Sequence, residues 1–530
     1  MLVGYVSDER YIALPNVQVE FTNATTSIEV RSRASGAVHA DIASGEYQLT
    51  FSKTGYGPKS VKVEIRENEP QAFRLLKDGL MGYAWPKWVV GGESAEFRIH
   101  SDEAYKLSLW RYGWEKELVQ PIGWFDEHGP RATVQITPDG DYTRTGVQWN
   151  RFGYSCPHHK QYVTAPSRSG LYYFHAKGES GRFFSFPWIV APPSPNAPIA
   201  VLASNITWNA YNNFGGRSNY IHPDALPPTP TVNARLELHR YIDPDHFNYK
   251  VQNYAPLSFD RPEPINHIPE DELVTGPIEG RAACHVAPTE WRLLGWLERE
   301  GFAYDYYGET QLHSGALDLS QYQVLIISTH PEYWSSDMYF KVKKWVFEQG
   351  GRLMYLGGNG LNCDVEFVDE QTCIYRNDDE RKLVDQNSGD INESRFHIRH
   401  ESEANLLGVV YDARGIMTAA PYRVIDASNW VFERTDLRNG DLFGTRSQHE
   451  RVPGGASGHE TDKISSSSPS NTQLLAQGTN LEGGGGDMVL HQPNNGGYVF
   501  SAGSICWPSS LLVDAHVSQI TSNVIRRFLS

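Results

Sequence analysis

Val324 to Trp334 reads Val-Leu-Ile-Ile-Ser-Thr-His-Pro-Glu-Tyr-Trp, and this stretch decides the fold of the second half of the chain. Its first four residues are apolar and mostly β-branched, and so short a run predicts a buried strand of a parallel sheet. His330 and Glu332 follow directly, at the strand end where open α/β sheets bind their ligands. Because Pro331 favours an extended backbone, and residues two apart in such a segment point the same way, both side chains are predicted to face one pocket.

The sequence on either side of this strand alternates between the periods of strands and helices. Short apolar runs predict strands at about 199–203, 302–306, 323–328 and 352–356. Apolar residues at helical spacing predict helices at about 289–300, at 336–349 and along the stripe from Val517 to Phe528. This alternation predicts an α/β domain at residues 196–530, with a mostly parallel sheet and right-handed crossovers. We interpret its architecture as glutamine-amidotransferase-like.

The first 195 residues show the alternating pattern of β-strands instead, as in Val17, Val19 and Phe21. We predict two β-sandwich domains, at residues 1–78 and 79–195, and a proline-rich linker at the end of the second. The motifs Gly45-Glu46-Tyr47 and Lys53-Thr54-Gly55-Tyr56 make the first sandwich resemble the carboxypeptidase regulatory-like, transthyretin-like fold. The second sandwich is predicted to be immunoglobulin-like.

The composition of the chain excludes some classes of partner. A formal net charge of −16 argues against a nucleic-acid or anionic-membrane surface, because both need clustered Lys and Arg. No run of about 18 apolar residues predicts a membrane span, and the N-terminus lacks a signal-peptide pattern. The five cysteines are scattered without a Cys-x-x-Cys pair, which indicates reduced thiols in a cytoplasmic protein. A small neutral substrate fits these features best.

Polar or ionisable side chains follow three strands of the predicted sheet. Tyr211 follows the first strand, His330 and Glu332 follow the third, and Asn359 follows the fourth. Because neighbouring parallel strands end at the same edge of a sheet, we expect these groups to converge. The later segment 454–471 is predicted to be a loop over the sheet.

Four short motifs, taken in order, resemble one known family. They are Trp208-Asn-Ala-Tyr-Asn-Asn-Phe-Gly-Gly216, Ser258-Phe-Asp-Arg-Pro262, His330-Pro-Glu-Tyr-Trp-Ser335 and Gly358-Asn-Gly360. Each is ordinary alone, but their order and spacing together resemble the C-terminal domain of the N,N-dimethylformamidase large (beta) subunit family. The resemblance covers residues 200–530 and implies an amidohydrolase with a mononuclear, non-haem ferric iron. It also implies that two tyrosine phenolates and one glutamate bind this iron.

The resemblance assigns roles residue by residue. It implies that Tyr211 is the first phenolate ligand and Glu332 the carboxylate ligand. His330 would lie beside the metal, and Asn359 would face the substrate. Glu460, in the sequence Gly-His-Glu-Thr-Asp, would be a candidate acid or base.

The second tyrosine ligand is expected a few dozen residues after the first. We prefer Tyr254, because it lies next to the Ser258–Pro262 motif, and the competing candidates are Tyr241, Tyr249 and, less directly, Tyr220. The family's pocket also implies a basic residue. No lysine matches it, and Arg376 is the nearest arginine.

The implied chemistry is coherent. Phenolate and carboxylate oxygens are hard donors that suit a highly charged cation. Such a cation acts as a Lewis acid that polarises an amide carbonyl and makes hydroxide available near neutral pH. The expected products are formate, or another carboxylic acid, and an amine. The expected partners are a small amide substrate, a possible small accessory subunit and further copies of the chain in a homo-oligomer.

Two other functions stay open at this point. One is a class I glutamine-amidotransferase-like hydrolase with Cys363 as nucleophile and His330 as base, although the sequence around Cys363 lacks the tight elbow of such nucleophiles. The other is a non-catalytic binding or scaffold protein built from several sandwiches. An iron-free, colourless protein would favour the scaffold, and loss of activity on thiol alkylation would favour the cysteine.

Overall fold

The computed structural model describes residues 1–25, 27–126, 137–149, 161–232, 253–269, 276–278, 285–377, 394–494 and 496–530. These residues form mostly β-sheet with few helices, so the predicted multidomain β-rich architecture is confirmed. The predicted domain boundaries and the likeness to glutamine amidotransferases stay predictions. Tyr241 and Tyr249, two candidates for the second tyrosine, lie outside the described residues.

Residues 2–74 form a first sandwich of two small sheets, with strand orders β4-β1-β7 and β3-β2-β5-β6. The alternating residues Val17, Val19 and Phe21 point inward and pack with Leu49 and Phe51 in a separate core. The strands are β1 (Leu2–Ser7), β2 (Gln18–Thr22), β3 (Ser27–Arg31), β4 (Ala37–His39), β5 (Gly45–Lys53), β6 (Tyr56–Ile65) and β7 (Gln71–Arg74).

The described strands between residues 80 and 191 form a second sandwich, with strand orders β13-β10-β8 and β12-β11-β14-β15-β9. Its core is rich in aromatic side chains, among them Phe97, Phe174, Phe186 and Trp188. The strands are β8 (Leu80–Trp85), β9 (Trp88–Val90), β10 (Ser94–Ser101), β11 (Tyr105–Tyr112), β12 (Lys116–Phe125), β13 (Tyr162–Thr164), β14 (Gly170–Gly178) and β15 (Phe183–Ala191).

The rest of the described chain is organised around a nine-stranded sheet in the order β18-β16-β19-β21-β32-β31-β30-β26-β27. Its strands and those of three smaller sheets are β16 (Ile199–Ala203), β17 (Leu257–Ser258), β18 (Tyr304–Gly308), β19 (Val324–Thr329), β20 (Tyr333–Trp334), β21 (Arg352–Gly357), β22 (Cys363–Asp369), β23 (Thr372–Arg376), β24 (Val410–Asp412), β25 (Ala419–Ala420), β26 (Tyr422–Val424), β27 (Leu442–Phe443), β28 (Ser457–Gly458), β29 (Thr461–Lys463), β30 (Gln473–Gly478), β31 (Asp487–His491) and β32 (Tyr498–Ser501).

Only half of this large sheet is parallel, which corrects the prediction of a mostly parallel sheet. The pairings from β18 through β16, β19 and β21 to β32 are parallel. The pairings from β32 through β31, β30 and β26 to β27 are antiparallel. A parallel pair needs a crossover of a dozen or more residues, whereas the short connections from β30 to β31 and from β31 to β32 favour antiparallel neighbours.

Helices cover both faces of the large sheet. Ile326 of β19 packs on one face with residues of α3 and α9, and Leu325 packs on the other face with α5. The helices are α1 (Tyr142–Thr145), α2 (Asn205–Tyr211), α3 (Ala287–Arg299), α4 (Glu309–Ser314), α5 (Ser336–Gln349), α6 (Arg395–Arg399), α7 (Ala404–Leu407), α8 (Cys506–Ser510) and α9 (Ala515–Leu529). The predicted strands and helices around β19 are therefore confirmed, with small shifts at their ends.

Helix α5 shows how local sequence sets these ends. The side chain of Ser335 accepts a hydrogen bond from the main-chain N–H of Met338 and so caps the start of the helix. Gly350 ends the helix in the left-handed conformation, with φ +79°, which glycine adopts without steric cost. Among the described helices, none combines the length and the apolar character that a membrane crossing requires.

The core around β19 gives a direct test of the fold. Replacing the fully buried Ile326 with alanine is expected to lower the free energy of unfolding by about 2–5 kcal/mol, because it leaves a cavity between β19 and its covering helices. The matched control is Ile425→Ala at a side chain that is 42% exposed, for which a change within about 0.5 kcal/mol is expected. Urea unfolding measures both, and equal losses would contradict this packing.

Candidate active site

Tyr211 is the last residue of α2, a short helix that follows β16. Two buried glutamates accept hydrogen bonds from main-chain N–H groups at the start of this helix. Glu290 Oε1 accepts from Ser204 N at 3.1 Å, and Glu309 Oε2 accepts from Ile206 N at 3.4 Å. Because helix N-termini carry unpaired N–H donors and partial positive charge, these carboxyl groups take over the role of a side-chain cap.

A buried arginine holds the other end of α2. Arg261 donates to the side-chain oxygen of Asn209 at 2.8 Å and to the carbonyl of Phe214 at 2.8 Å. It also donates to the carbonyl of Arg217 at 3.3 Å. Arg261 belongs to the Ser258–Pro262 motif, so this motif stabilises the segment that carries Tyr211. The cation sits at the helix C-terminus, where the partial charge is negative.

Three oxygen-bearing side chains from separate segments meet beyond the end of β19. The Tyr211 hydroxyl donates to Glu332 Oε2 at 2.9 Å. The Tyr220 hydroxyl lies 2.9 Å from the same oxygen and 3.1 Å from Glu332 Oε1. Tyr220 also lies 2.5 Å from the hydroxyl of Tyr333, in a contact where either oxygen can be the donor. The Glu332 carboxyl group, 3% exposed, is thus at the centre of a phenol cluster.

His330 and Glu460 lie next to this cluster. His330 Nε2 is 3.0 Å from Glu460 Oε2 and 3.4 Å from Glu332 Oε2. The expectation that His330 and Glu332 share a pocket therefore agrees with the geometry. Asn359 donates through Nδ2 to Glu460 Oε2 at 2.7 Å. The structure thus brings five of the six predicted site residues together.

Asn359 is held from behind by Asp462. Its carboxyl group accepts from the main-chain N–H of Asn359 at 2.8 Å and from the hydroxyl of Tyr355 at 2.7 Å. Asn359 has φ +50°, as expected for an asparagine in a tight turn. Glu460 lies between β28 and β29, so the segment 454–471 is partly strand where the sequence suggested only a loop.

Three further histidines line this region and were missed by sequence reasoning. His285 Nδ1 lies 3.2 Å from His330 Nδ1, and its ring centroid is 4.5 Å from that of Tyr211. His459 Nδ1 lies 2.9 Å from His449 Nε2. These residues come from irregular segments without periodicity, and a lone histidine there gave no signal.

The ionisation of the site follows from burial and from the close charges. Burial opposes a charged His330, yet Glu460 and Glu332 raise its pKa above the ordinary value. Burial likewise opposes ionisation of Glu460, but His330 holds the pKa of this carboxyl below its ordinary value. Burial raises the pKa of Glu332, and His330 offsets this only in part. Burial, followed by the charge of Glu332, raises the pKa values of Tyr211 and Tyr220 well above 10.

Tyr254, the sixth predicted residue, lies in a different contact. Its hydroxyl donates to the main-chain carbonyl of Asn377 at 2.8 Å. The structure places Tyr220 against Glu332 instead, so we revise the choice of second tyrosine to Tyr220. The physical reason is that the chain turns back after α2, where Asn219 N donates to the carbonyl of Ala210 at 2.9 Å.

The remaining candidates are also accounted for. Arg376 forms an ion pair with Glu366. Arg395, which sequence reasoning did not single out, lowers the pKa of Glu332 through its charge. Arg395 Nη1 also lies 3.4 Å from Cys363 Sγ. Of these two arginines, Arg395 is the one whose charge acts on Glu332, while Arg376 is paired with Glu366.

The donor set suits a hard cation. Within the described residues, no group of three or more His, Cys, Asp or Glu side chains is arranged to hold a metal ion. The oxygens of Tyr211, Tyr220 and Glu332 are of another kind, because two of the three are phenols. Such oxygens match a small, highly charged ion better than a soft one. Phenols with raised pKa values ionise only if a bound cation displaces their protons.

Comparisons with known proteins point to one family. The family model described as "N,N-dimethylformamidase beta subunit-like, C-terminal" matches residues 106–519. An N,N-dimethylformamidase beta subunit from Alcaligenes sp. is 25% identical in an alignment of 480 residues that covers 73% of this chain and 59% of that protein. One from Paracoccus aminophilus is 26% identical in an alignment of 409 residues that covers 65% of this chain and 50% of that protein. The chain thus spans less than two thirds of the length of these relatives.

Similarity to solved structures adds nothing to this. A crystal structure of a DUF3823 family protein from Bacteroides ovatus aligns with 12% identity over 35% of this chain and 98% of that chain. Its TM-score of 0.13 is too low to support an argument about fold or function.

The support of α2 by Glu290 predicts a dependence of stability on pH. Burial raises the pKa of Glu290 to about 7, so folding favours its protonated form. Its contribution to stability is complete below pH 4.5 and is lost as the pH rises through 7, a change of about 3 kcal/mol. Glu290→Gln is therefore expected to gain about 3 kcal/mol relative to the wild type between pH 4.5 and pH 8.

The control for this prediction is Glu348→Gln at an exposed position of α5. Urea unfolding at several pH values is the measurement. A constant difference between Glu290→Gln and the wild type over this pH range would show that Glu290 is not protonated by folding.

Proposed function

The chain belongs to the N,N-dimethylformamidase beta subunit-like family, and we propose that it is an iron-dependent amidohydrolase acting on small N-substituted amides. N,N-dimethylformamide is the example that the names of the relatives supply. The proposed reaction cleaves the C–N bond and yields a carboxylic acid, here formate, and an amine. The observation that carries the proposal is the meeting of the Tyr211, Tyr220 and Glu332 oxygens beside the His330–Glu460 pair.

We propose that Tyr211, Tyr220 and Glu332 hold a single ferric ion. Their oxygens come from three separate segments, and both hydroxyls already lie within hydrogen-bond distance of Glu332 Oε2. When bound, the ion would supply Lewis acidity that polarises the amide carbonyl and lowers the pKa of water. The protein has to provide the rest: the placement of the substrate and the movement of protons.

His330 and Glu460 are proposed to move these protons. Their pKa values shift in the directions expected for an imidazolium paired with a carboxylate. Glu460 would take a proton from the attacking water, and His330 would give a proton to the leaving amine nitrogen. The two groups are 3.0 Å apart, so His330 can be charged again by the proton that Glu460 has accepted.

Asn359 is proposed to orient these groups and the substrate. Its amide nitrogen holds Glu460 Oε2 at 2.7 Å and lies 3.4 Å from His330 Nε2. A side-chain N–H fixed in this way is also a suitable donor to the oxygen of a tetrahedral intermediate. Asp462 and Tyr355 behind it would keep this donor in place during the reaction.

The proposed partners follow from the relatives and from the charge of the chain. The relatives are named as beta subunits, so we propose that this chain also works with a second, smaller subunit and in more than one copy. Among the described residues, Cys363, Cys373 and Cys506 are buried and form no disulfide, which supports the proposal of a reducing, cytoplasmic environment. A net charge of −16 suits a small neutral amide better than an anionic substrate.

The identity of the second tyrosine ligand can be tested by spectroscopy. Tyr220→Phe in the iron-loaded protein is expected to weaken or shift the visible phenolate-to-iron band and to lower kcat by about 10²-fold or more, a loss typical of removing one charge-stabilising group. Tyr254→Phe, the matched control, should change neither quantity. The reverse pattern would return the assignment to Tyr254.

The carboxylate ligand gives the second test. Glu332→Gln keeps the size of the side chain but removes the charge, so the purified variant is expected to lose most of its iron and its amide hydrolysis. Cys363→Ser is the control and should keep both, because Cys363 contacts Arg395 and is given no part in the reaction. Full iron and full activity in Glu332→Gln would contradict the proposal, and loss of activity in Cys363→Ser alone would favour the cysteine mechanism.

A further inference from the structure

The segment that carries Tyr220 is irregular, and its position depends on what it packs against. Residues 212–231 are all described, and no helix or strand lies among them. We call this segment the tyrosine loop. On its inner side, Asn219 donates to the Tyr333 hydroxyl at 2.7 Å, and Arg261 donates to the carbonyl of Phe214. These contacts fix only the part of the loop that faces the site.

The outer side of the tyrosine loop lies against the first sandwich. Gly215 and Gly216, which end the Trp208–Gly216 motif, have φ +101° and +90°. A Cβ atom on Gly216 would lie 2.6 Å from Cβ of Tyr11 and 2.9 Å from the carbonyl oxygen of Arg10. Only glycine permits both this backbone conformation and this close approach. The positive φ values and the close approach to residues 10 and 11 therefore explain why this motif ends in two glycines.

Main-chain hydrogen bonds join residues 9–13 to both ends of the tyrosine loop. Gly215 N donates to the carbonyl of Glu9 at 2.8 Å. At the far end, Ala13 N donates to the carbonyl of Thr231 at 2.9 Å, and Thr231 N donates to the carbonyl of Tyr11 at 3.0 Å. The hydroxyl of Tyr11 also donates to the carbonyl of Pro227 at 3.0 Å. Residues 9–13 therefore hold the tyrosine loop at both of its ends.

Arg74 stabilises the contact between residues 9–13 and the tyrosine loop. Its side chain is fully buried at the end of β7, and its guanidinium group donates to the carbonyl of Gly215 at 2.9 Å. It also donates to the carbonyls of Asp8 at 3.1 Å and Gly140 at 3.2 Å. One cation thus joins the first sandwich, the segment before α1 and the tyrosine loop. A buried charge is tolerated only with such a full set of partners.

We propose that the first sandwich is a positioning element for the candidate site, acting through Arg74 and residues 9–13. It holds the tyrosine loop so that the Tyr220 hydroxyl meets the Glu332 carboxyl group. The family match begins at residue 106, so this role belongs to a part of the chain that the match leaves out. The inference rests on the proposed function only in the role that it gives to Tyr220.

Hydrogen exchange followed by mass spectrometry of the full, metal-free chain tests this proposal. Arg74→Gln is expected to speed exchange in peptides from residues 212–231 by about tenfold or more, because it removes charged hydrogen bonds to a buried carbonyl. Strands β5 and β6 should keep their protection. Arg66→Gln, at an exposed arginine of the same sandwich, is the matched control and should leave residues 212–231 unchanged. Unchanged exchange of this loop in Arg74→Gln would overturn the proposal.

A second variant covers the case in which Arg74→Gln unfolds the sandwich and β5 and β6 lose protection. Tyr11→Phe removes only the hydroxyl that bonds to Pro227, so it is expected to speed exchange of the tyrosine loop by about fivefold, the effect of one hydrogen bond. If exchange there stays the same with the sandwich intact, the positioning role is wrong.

Iron binding separates this proposal from the proposed function. Arg74→Gln is expected to bind ferric iron about tenfold more weakly, and Arg74→Lys, which keeps the charge, should recover part of the loss. Wild-type protein that binds no iron would refute the proposed function but leave the exchange result valid. An unchanged iron affinity in Arg74→Gln would refute the positioning role alone.

Discussion

The buried carboxyl group of Glu332 is the constraint on which the candidate site depends. It lies among two phenols and close to Glu460, while His330 is the cation nearest to it among the contacts described. Burying negative charge without matching positive charge is costly, and the raised pKa of Glu332 reflects this cost. A hard cation bound among these oxygens would remove the imbalance and ionise the phenols. The arrangement is therefore favourable if a cation binds there, and it costs free energy if these residues have only a structural role.

The surrounding fold keeps these oxygens in place by buried hydrogen bonds at the two ends of a short helix. The carboxyl groups of Glu290 and Glu309 accept from main-chain N–H groups at the start of α2, and Arg261 donates to a carbonyl group just beyond its end. A helix of this length has little stability of its own. These buried contacts compensate, and they fix where Tyr211 points. The tyrosine loop that follows depends in the same way on Arg74 and the first sandwich.

Sequence reasoning reached the parts of the site that lie at strand ends. His330, Glu332 and Asn359 were predictable because short apolar strands mark where a parallel sheet stops. Tyr220 was ranked behind Tyr254 because its position depends on contacts with Asn219 and the first sandwich, which no local pattern reveals. His285 likewise lies outside the helices and strands, where no local pattern marks it. The antiparallel half of the large sheet was missed because its strands are short and weakly periodic.

The proposed function depends on phenolate ligation of iron by this chain. Resonance Raman spectroscopy of the iron-loaded protein, with and without ring-deuterated tyrosine, measures this ligation most directly. We expect tyrosinate vibrations that are enhanced in the visible band and shift on deuteration, and that disappear in the Tyr211→Phe,Tyr220→Phe double variant. Iron bound without any tyrosinate vibration, or with the same spectrum in the double variant, would contradict it.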